Sequence, residues 1–536
     1  MDKFMKNAKS SNDSIELIGH SSKPLPTSGG TRRDFLMTSM VAATVPILSV
    51  AETQRAPVAT PSPGKRDGRP NIIMFHSDQF RWDCVCAAGH NPMEGLTPNL
   101  DAMYRRGTVF KDFITNQPLC APSRACWMTG QYATTTGVWM NGPGLRRDAR
   151  TIATELTSIG YSANYFGKWN LAPAPTWASN GPVPPQYRGG FTGQWLAANS
   201  PEISTQPYNS QFWDNDGNPV HYGKDVYRVD FLTGEVQKFL RQKHDKPFFL
   251  VLSQLEPHQQ NGPCEHGDVY GFVPPHGYEK LFRSCYVPED LRFFPGDWQY
   301  EMNNYYGDIK AIDDSLGRIL ETLKEQHLED NTIVMFLSDH GCHFRTRNSE
   351  YKRSPHESSI HVPLMIQGPG FNNRQTITEL VSMIDIAPSV LDLLGLKIPA
   401  CMQGRSFIPL LHNEEARAGW RNEVFIQISE SQVGRALRTP EWTYMALAPQ
   451  AIPNRDPGSL HYQDYQLYNN RADPNQLVNM IGRLDARWPD DNVLLNFVGH
   501  HRSMREITTH LRERLIERMV EAGEARPEIA TWPYYA

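Results

Sequence analysis

Short apolar runs recur along this chain, and each gives way to residues whose side chains can do chemistry. Asn71-Ile72-Ile73-Met74-Phe75 leads into His76-Ser77-Asp78-Gln79, and residues 162–166 lead into Gly167-Lys168. Residues 247–252 precede Glu256-Pro257-His258, and residues 332–337 precede Ser338-Asp339-His340. Runs of this length without alternation suit strands buried on both faces. Between them the apolar spacing turns helical, most clearly over 306–326 and 384–394. Strand, polar loop and helix in repetition predict an open α/β sheet with its site at the carboxyl ends of the strands. Beyond residue 415 the pattern changes to strand-like segments at 424–428, 436–439, 443–446 and 466–468, then a helical stretch over 496–522. That predicts a small antiparallel sheet with a helix, so the body divides into 69–415 and 416–536.

Composition narrows the class. Of 536 residues 39% are hydrophobic and 21% charged, which is a globular balance, and the formal net charge of −5 gives no electrostatic footprint for nucleic acid. Any anion must therefore be met by a local cluster of cations. The eight cysteines form no CxxC pair or zinc-ligand spacing. Ahead of the body, Arg32-Arg33 is followed by a weakly apolar stretch over 35–50 and by Ser49-Val50-Ala51, with small residues at the −3 and −1 positions of a cleavage site. Residues 1–51 resemble a twin-arginine export signal, which implies a translocase partner and a periplasmic or secreted destination. The stretch is short for a membrane span and carries Pro46. Residues 52–68, rich in proline and polar groups, predict a linker.

One segment carries the chemistry. Cys120-Ala121-Pro122-Ser123-Arg124, with Thr129-Gly130 downstream, resembles the modification motif of the type I sulfatases, members of the alkaline-phosphatase-like superfamily. In these the cysteine is oxidised to formylglycine by a formylglycine-generating or sulfatase-maturating enzyme. The resemblance implies a large mixed, mostly parallel sheet sandwiched by helices. It also implies that the hydrated aldehyde attacks sulfur with one hydroxyl and expels sulfate through the other. If export carries the folded protein, that oxidation precedes it.

The strand ends fit the same pattern. Asp78-Gln79, followed by Arg81 and Asp83, resembles the family's first metal pair, and Asp339-His340 its second; with residue 120 they would hold a divalent cation, usually calcium. Lys168 and Lys352 match the two sulfate-contacting lysines, Arg124 would orient the diol, and His258 matches the proton donor to the leaving oxygen. Further landmarks at 435–439, 466–468 and 473–474 extend the likeness over roughly 70–480.

Two positions depart from the pattern. Where many relatives read Gly-Lys-Trp-His, this chain has Asn170, which cannot act as a base. Either another group, such as His356 or His343, takes that role, or turnover slows at that step; Asn170 and His356, with Trp177 and Trp195, are also candidate substrate contacts. The Gln79/His340 pairing also occurs in phosphonate monoester and phosphodiester hydrolases of the superfamily, which stand as the alternative function. An inactive sulfated-glycan-binding protein is a second alternative. Long loops carry Trp177, Tyr187, Phe191, Trp195, Tyr208 and Trp213. Either these tryptophans line a pocket rim and stack on sugar faces, which points to a sulfated carbohydrate, or they pack the loops onto the body.

Overall fold

The computed structural model describes residues 68–173, 181–261, 271–481 and 504–532. The predicted export segment, most of the linker, and Trp177 lie outside the described residues.

Eleven strands form one sheet: β1 (Asn71–Ser77), β2 (Thr108–Ile114), β3 (Ser162–Lys168), β4 (Trp195–Ala198), β5 (Ser210–Trp213), β6 (Pro219–Tyr222), β7 (Phe248–Ser253), β8 (Thr332–Ser338), β9 (His361–Gln367), β10 (Gln375–Ile377) and β11 (Val381–Ser382). Their order is β10-β2-β9-β8-β1-β7-β3-β4-β5-β6, with β11 also paired to β2. At the centre β8, β1, β7, β3 and β4 run parallel, and β9 lies antiparallel to both β8 and β2. Ile72 and Met74 enter one apolar core while Ile73 and Phe75 enter another on the opposite face. This is why the run does not alternate: both faces are covered. Ser77 stands opposite Ser338 and His76 opposite Ser253, so the chains leaving β1, β7 and β8 emerge side by side.

The long helix spans Trp298–Glu325, starting ahead of the predicted 306. Its first turns bury Met302 and Tyr305 but also carry Tyr300, 80% exposed, which blurs the apolar spacing there. The predicted helix over 384–394 is a 3-10 turn, Met383–Asp385, followed by the helix Ile386–Leu393. Ser382 and Asp385 form a capping box around that turn.

The second sheet orders β12 (Val424–Ile428), β13 (Gly434–Arg438), β14 (Trp442–Leu447), β15 (His461–Asn469) and β16 (Glu528–Ala530). It is antiparallel except for β16, which pairs parallel to β15. That three-residue strand is too short to leave a sequence pattern. The helix Met504–Glu521 buries Leu515 and Met519, and its Arg512 pairs with Asp464 of β15 at 2.6 Å. Asn116, just after β2, ties the two sheets: its Nδ2 donates to Phe425 O at 2.9 Å and its backbone carbonyl accepts from Gln427 N at 2.7 Å. No described helix is long and apolar enough to cross a membrane.

Candidate active site

The segment Cys120-Ala121-Pro122-Ser123-Arg124 starts a helix. Leu119 is extended and Cys120–Thr129 is helical, so Cys120 occupies the first position and Pro122 the third, where a missing N–H removes no helical bond. Gly130, at φ 67°, ends the helix in the left-handed cap that glycine adopts without strain. Every residue of the helix is buried. Gly167 precedes Lys168 at φ 108°, and a Cβ there would meet Ser253 O at 2.0 Å, so only glycine lets β3 deliver the lysine this close to β7.

Around Cys120 Sγ stand Lys352 Nζ at 3.0 Å, His340 Nε2 at 3.4 Å and Asp78 Oδ1 at 3.8 Å. Lys352 Nζ also lies 2.8 Å from His258 Nε2 and 3.0 Å from His340 Nε2. Lys168 Nζ is 2.8 Å from Asp78 Oδ2. Arg124 places Nη2 3.1 Å from Asp78 Oδ2 and Nε 3.3 Å from Asp339 Oδ2, and its Nη1 donates to Lys168 O and Ser253 Oγ at 3.0 and 2.7 Å. Both imidazoles are oriented by carbonyls that can only accept: His340 Nδ1–H by Gly341 O at 3.0 Å and His258 Nδ1–H by Gln259 O at 2.7 Å. Their Nε2 lone pairs therefore face the centre of the site.

Charge is concentrated here. Burial and Asp78 would push the Cys120 thiol up, but Lys168, Lys352 and His340 outweigh them and hold it well below the usual range. Burial likewise opposes ionisation of Asp78, and Lys168, His258, His340 and Arg124 reverse it. Asp339 is pushed up to about 6 by burial and by Asp78. One atom each from Asp78, Cys120, Asp339 and His340 fall within 4.8 Å of one another, a grouping able to hold a metal ion. Two buried atoms fit a cation there: Gln79 Oε1 and Asp339 Oδ2 have no hydrogen-bond donor. Gln79 adopts φ 66°, its N–H donates to Asp339 Oδ1 at 3.2 Å, and its Nε2 donates to Gln259 Oε1 at 2.8 Å. Gln259 and Cys342, whose Sγ is 3.5 Å from the same nitrogen, thus fix which end of the amide is free.

The fold brings Asp78, Cys120, Arg124, Lys168, His258, Asp339, His340 and Lys352 together, with Gln79 alongside; Asn170 follows Lys168 by two residues and pairs its N–H with Asn199 O at 2.8 Å. The remaining predicted residues lie elsewhere. His356 rests between Ser354 Oγ and Tyr468 OH, both at 3.1 Å, and His343 Nε2 meets Lys352 O at 3.0 Å. Burial lowers His343 to about 3 and, with Arg347, holds His356 well below its usual value. Neither ring replaces a base at Asn170. Trp195 is 2% exposed, with Tyr165 and Trp169 each at 5.3 Å and Arg188 over its face at 4.9 Å. A ring sealed on these sides cannot stack on a sugar, so Trp195 is no substrate contact, and Phe191 and Trp213 are buried likewise. Two residues that the motifs missed belong to the site: Ser253, which receives Arg124, and Glu202, whose Oε2 is 3.2 Å from Lys168 Nζ. Ser253 ends an apolar strand and was findable; Glu202 has no motif.

The parallel sheet, the buried helix that starts at Cys120 and the cluster of cations and carboxylates around it make a site suited to a metal ion and an anion. The Sulfatase family model matches residues 70–396, and the model described as N-sulphoglucosamine sulphohydrolase, C-terminal, matches residues 350–446. The chain belongs to the sulfatase family, and is a sulfuric ester hydrolase. It is 29% identical over 431 residues to an ulvan-active sulfatase of Formosa agariphila, covering 77% of this chain and 78% of that protein. An endo-4-O-sulfatase of Bacteroides thetaiotaomicron is 28% identical over 496 residues, covering 79% of this chain and 94% of the relative. A solved structure from work on glycosaminoglycan metabolism by Bacteroides thetaiotaomicron superposes with a TM-score of 0.69 at 24% identity, covering 85% of this chain and 97% of the other.

Proposed function

We propose that this sulfatase removes sulfate from a sulfated carbohydrate, with residue 120 as the nucleophile after oxidation to formylglycine. The carrying observation is the position of Cys120 Sγ, at the first turn of a buried helix and within 3.0–3.8 Å of Lys352, His340 and Asp78. The oxidised side chain would supply a hydrated aldehyde. Asp78, Gln79, Asp339, His340 and residue 120 would hold a divalent cation, with calcium as the first choice, and such an ion supplies Lewis acidity toward the ester oxygens. Arg124 pairs with both carboxylates of that group, Asp78 and Asp339. Lys168 and Lys352, both buried, meet the sulfate oxygens as compact cations. His258, oriented by Gln259 O through its Nδ1–H, presents Nε2 to the leaving oxygen and, once Nε2 has taken up a proton, passes that proton on. Support for a carbohydrate substrate comes from the relatives, which act on ulvan or carry an endo-4-O-sulfatase name.

Intact-peptide mass spectrometry tests the nucleophile: conversion of the thiol to an aldehyde removes about 18 mass units at residue 120. Active protein in which that peptide is entirely unmodified cysteine rules the assignment out. Rates on nitrophenyl sulfate and on a phenyl phosphonate ester test the class of ester; a large preference for the phosphonate would transfer the site to the alternative reading. We also propose twin-arginine export to the periplasm or beyond, with oxidation by a maturating enzyme completed beforehand. Replacing Arg32 and Arg33 by lysine should then retain active, aldehyde-bearing protein in the cytoplasm.

A further inference from the structure

Glu202 belongs to none of the motifs, yet its carboxylate lies inside the site. The N–H groups of Trp169 and Asn170 donate to Ala198 O and Asn199 O at 2.9 and 2.8 Å, extending the β3–β4 pairing past Lys168. Asn199 Oδ1 then accepts from Ala172 N at 3.1 Å, and the short helix Pro201–Ser204 follows. From the His258 loop, Asn261 N and Gln260 Nε2 donate to Glu202 O at 2.9 and 3.0 Å. Gln260 Nε2 also reaches Thr205 O at 2.8 Å. Glu202 is therefore fastened between the lysine segment and the histidine loop, 5% exposed, with Oε2 3.2 Å from Lys168 Nζ. That oxygen receives no aligned hydrogen bond, so the contact is one of charge.

We propose that Glu202 is a positioning residue that competes with the substrate's sulfate for Lys168 and so limits how tightly the site holds a tetrahedral anion. This rests on the reading above in which Lys168 grips the sulfate. Asp78, the lysine's other partner at 2.8 Å, is assigned there to the metal group, which leaves Glu202 as the carboxylate that, among the described residues, pairs with Lys168 and no other cation. At this separation, away from water, one charge offsets much of the other, and an entering anion must share the ammonium. Asn170 adds to the effect, because the family pattern has a titratable histidine at that position. The site thus offers less positive charge than its motifs suggest, and inorganic sulfate, the product, leaves it more readily.

Glu202→Gln keeps the shape and removes the charge. Isothermal titration of the full chain, aldehyde-bearing and loaded with calcium, would use inorganic sulfate and inorganic phosphate as probes. We expect Kd for both to fall about tenfold, roughly 1.4 kcal/mol, with KM and kcat on a sulfate ester falling together as product leaves slowly. Glu202→Asp, which withdraws the carboxylate by one methylene, should tighten binding to an intermediate degree, and it serves as the test where the glutamine variant does not fold. Unchanged or weaker binding of both anions in a variant that melts like wild type overturns the proposal. Tighter phosphate binding in a protein whose wild type hydrolyses no sulfate ester would uphold the role of Glu202 and overturn the sulfate reading instead.

Discussion

Replacing Arg124 with methionine removes a guanidinium that Asp78 and Asp339 share, and the structure says which of them suffers. Asp78 keeps Lys168 at 2.8 Å. Asp339 keeps N–H donors from Gln79 and His340 at 3.2 and 3.0 Å on Oδ1, but Oδ2 is left facing nothing once the Arg124 Nε at 3.3 Å is gone. Deleting one partner of a buried ion pair costs about 3–5 kcal/mol. Over a body this large a kcal/mol shifts the melting temperature by about 1 °C, so the variant should melt about 3–5 °C low in chelator. The deficit should depend on pH. Asp339 already stands near 6 through burial and the charge of Asp78, and losing Arg124 raises it further. A carboxyl raised above its unfolded value contributes stability that is present at low pH and lost as pH rises through the folded value. The deficit is therefore smallest near pH 5, where Asp339 is protonated, and largest near pH 8. Calcium at the same carboxylates replaces the missing positive charge and should shrink it. Thermal denaturation of both proteins in chelator and in calcium, across that range, gives all four comparisons. A deficit independent of both pH and metal would refute the role of Arg124 as counter-ion to this pair.

Other outcomes follow from the same geometry. His258→Asn should slow hydrolysis of sugar sulfates by about 100-fold or more, yet spare nitrophenyl sulfate, whose leaving group needs no proton; equal losses on both would remove His258 from that step. Cys120→Ala should abolish sulfate release while the melting temperature stays close to wild type, since the side chain ends in a cluster of polar groups and not in a packed core. Glu357, held by Arg438 at 2.9 Å and beside His361 at 3.2 Å, fastens the second sheet to the first. Burial opposes its ionisation, but Arg438 and His361 hold its carboxyl well below the usual range. Its stabilisation is then present above the ordinary glutamate pKa and lost as pH falls. Glu357→Gln should cost about 1.5–3 kcal/mol near neutrality, and the gap in melting temperature should close on acidification below about pH 4; a gap that persists in acid would argue against the charged pair.

How much of this site the sequence discloses depends on how each residue reaches it. Asp78, His258 and Asp339 each follow an apolar strand of one parallel sheet, so chain order alone places them at one edge, and Cys120 and Arg124 share the first turns of one helix. Parallel neighbours cannot emerge at opposite ends, which makes these positions legible before any contact is known. Residues that arrive by tertiary approach leave no such trace. Glu202 comes from a four-residue helix after a four-residue strand, too short for any period to show, and its meaning depends on pairing that runs past Lys168. The same limit leaves Trp195 ambiguous in the sequence. A tryptophan in a Pro/Gly-rich stretch looks equally suited to a rim or to a packed loop until β4 places it against Tyr165 and Trp169. His343 and His356, the two candidate substitutes for a base, have rings engaged by Lys352 O and Tyr468 OH. With both histidines committed, the chemistry beside Asn170 falls to groups already on Lys168. What the sequence presents as a missing histidine is, in the fold, an asparagine two residues from a lysine that a buried carboxylate also meets at 3.2 Å, and on the proposed reading both features lower the positive charge that meets the anion.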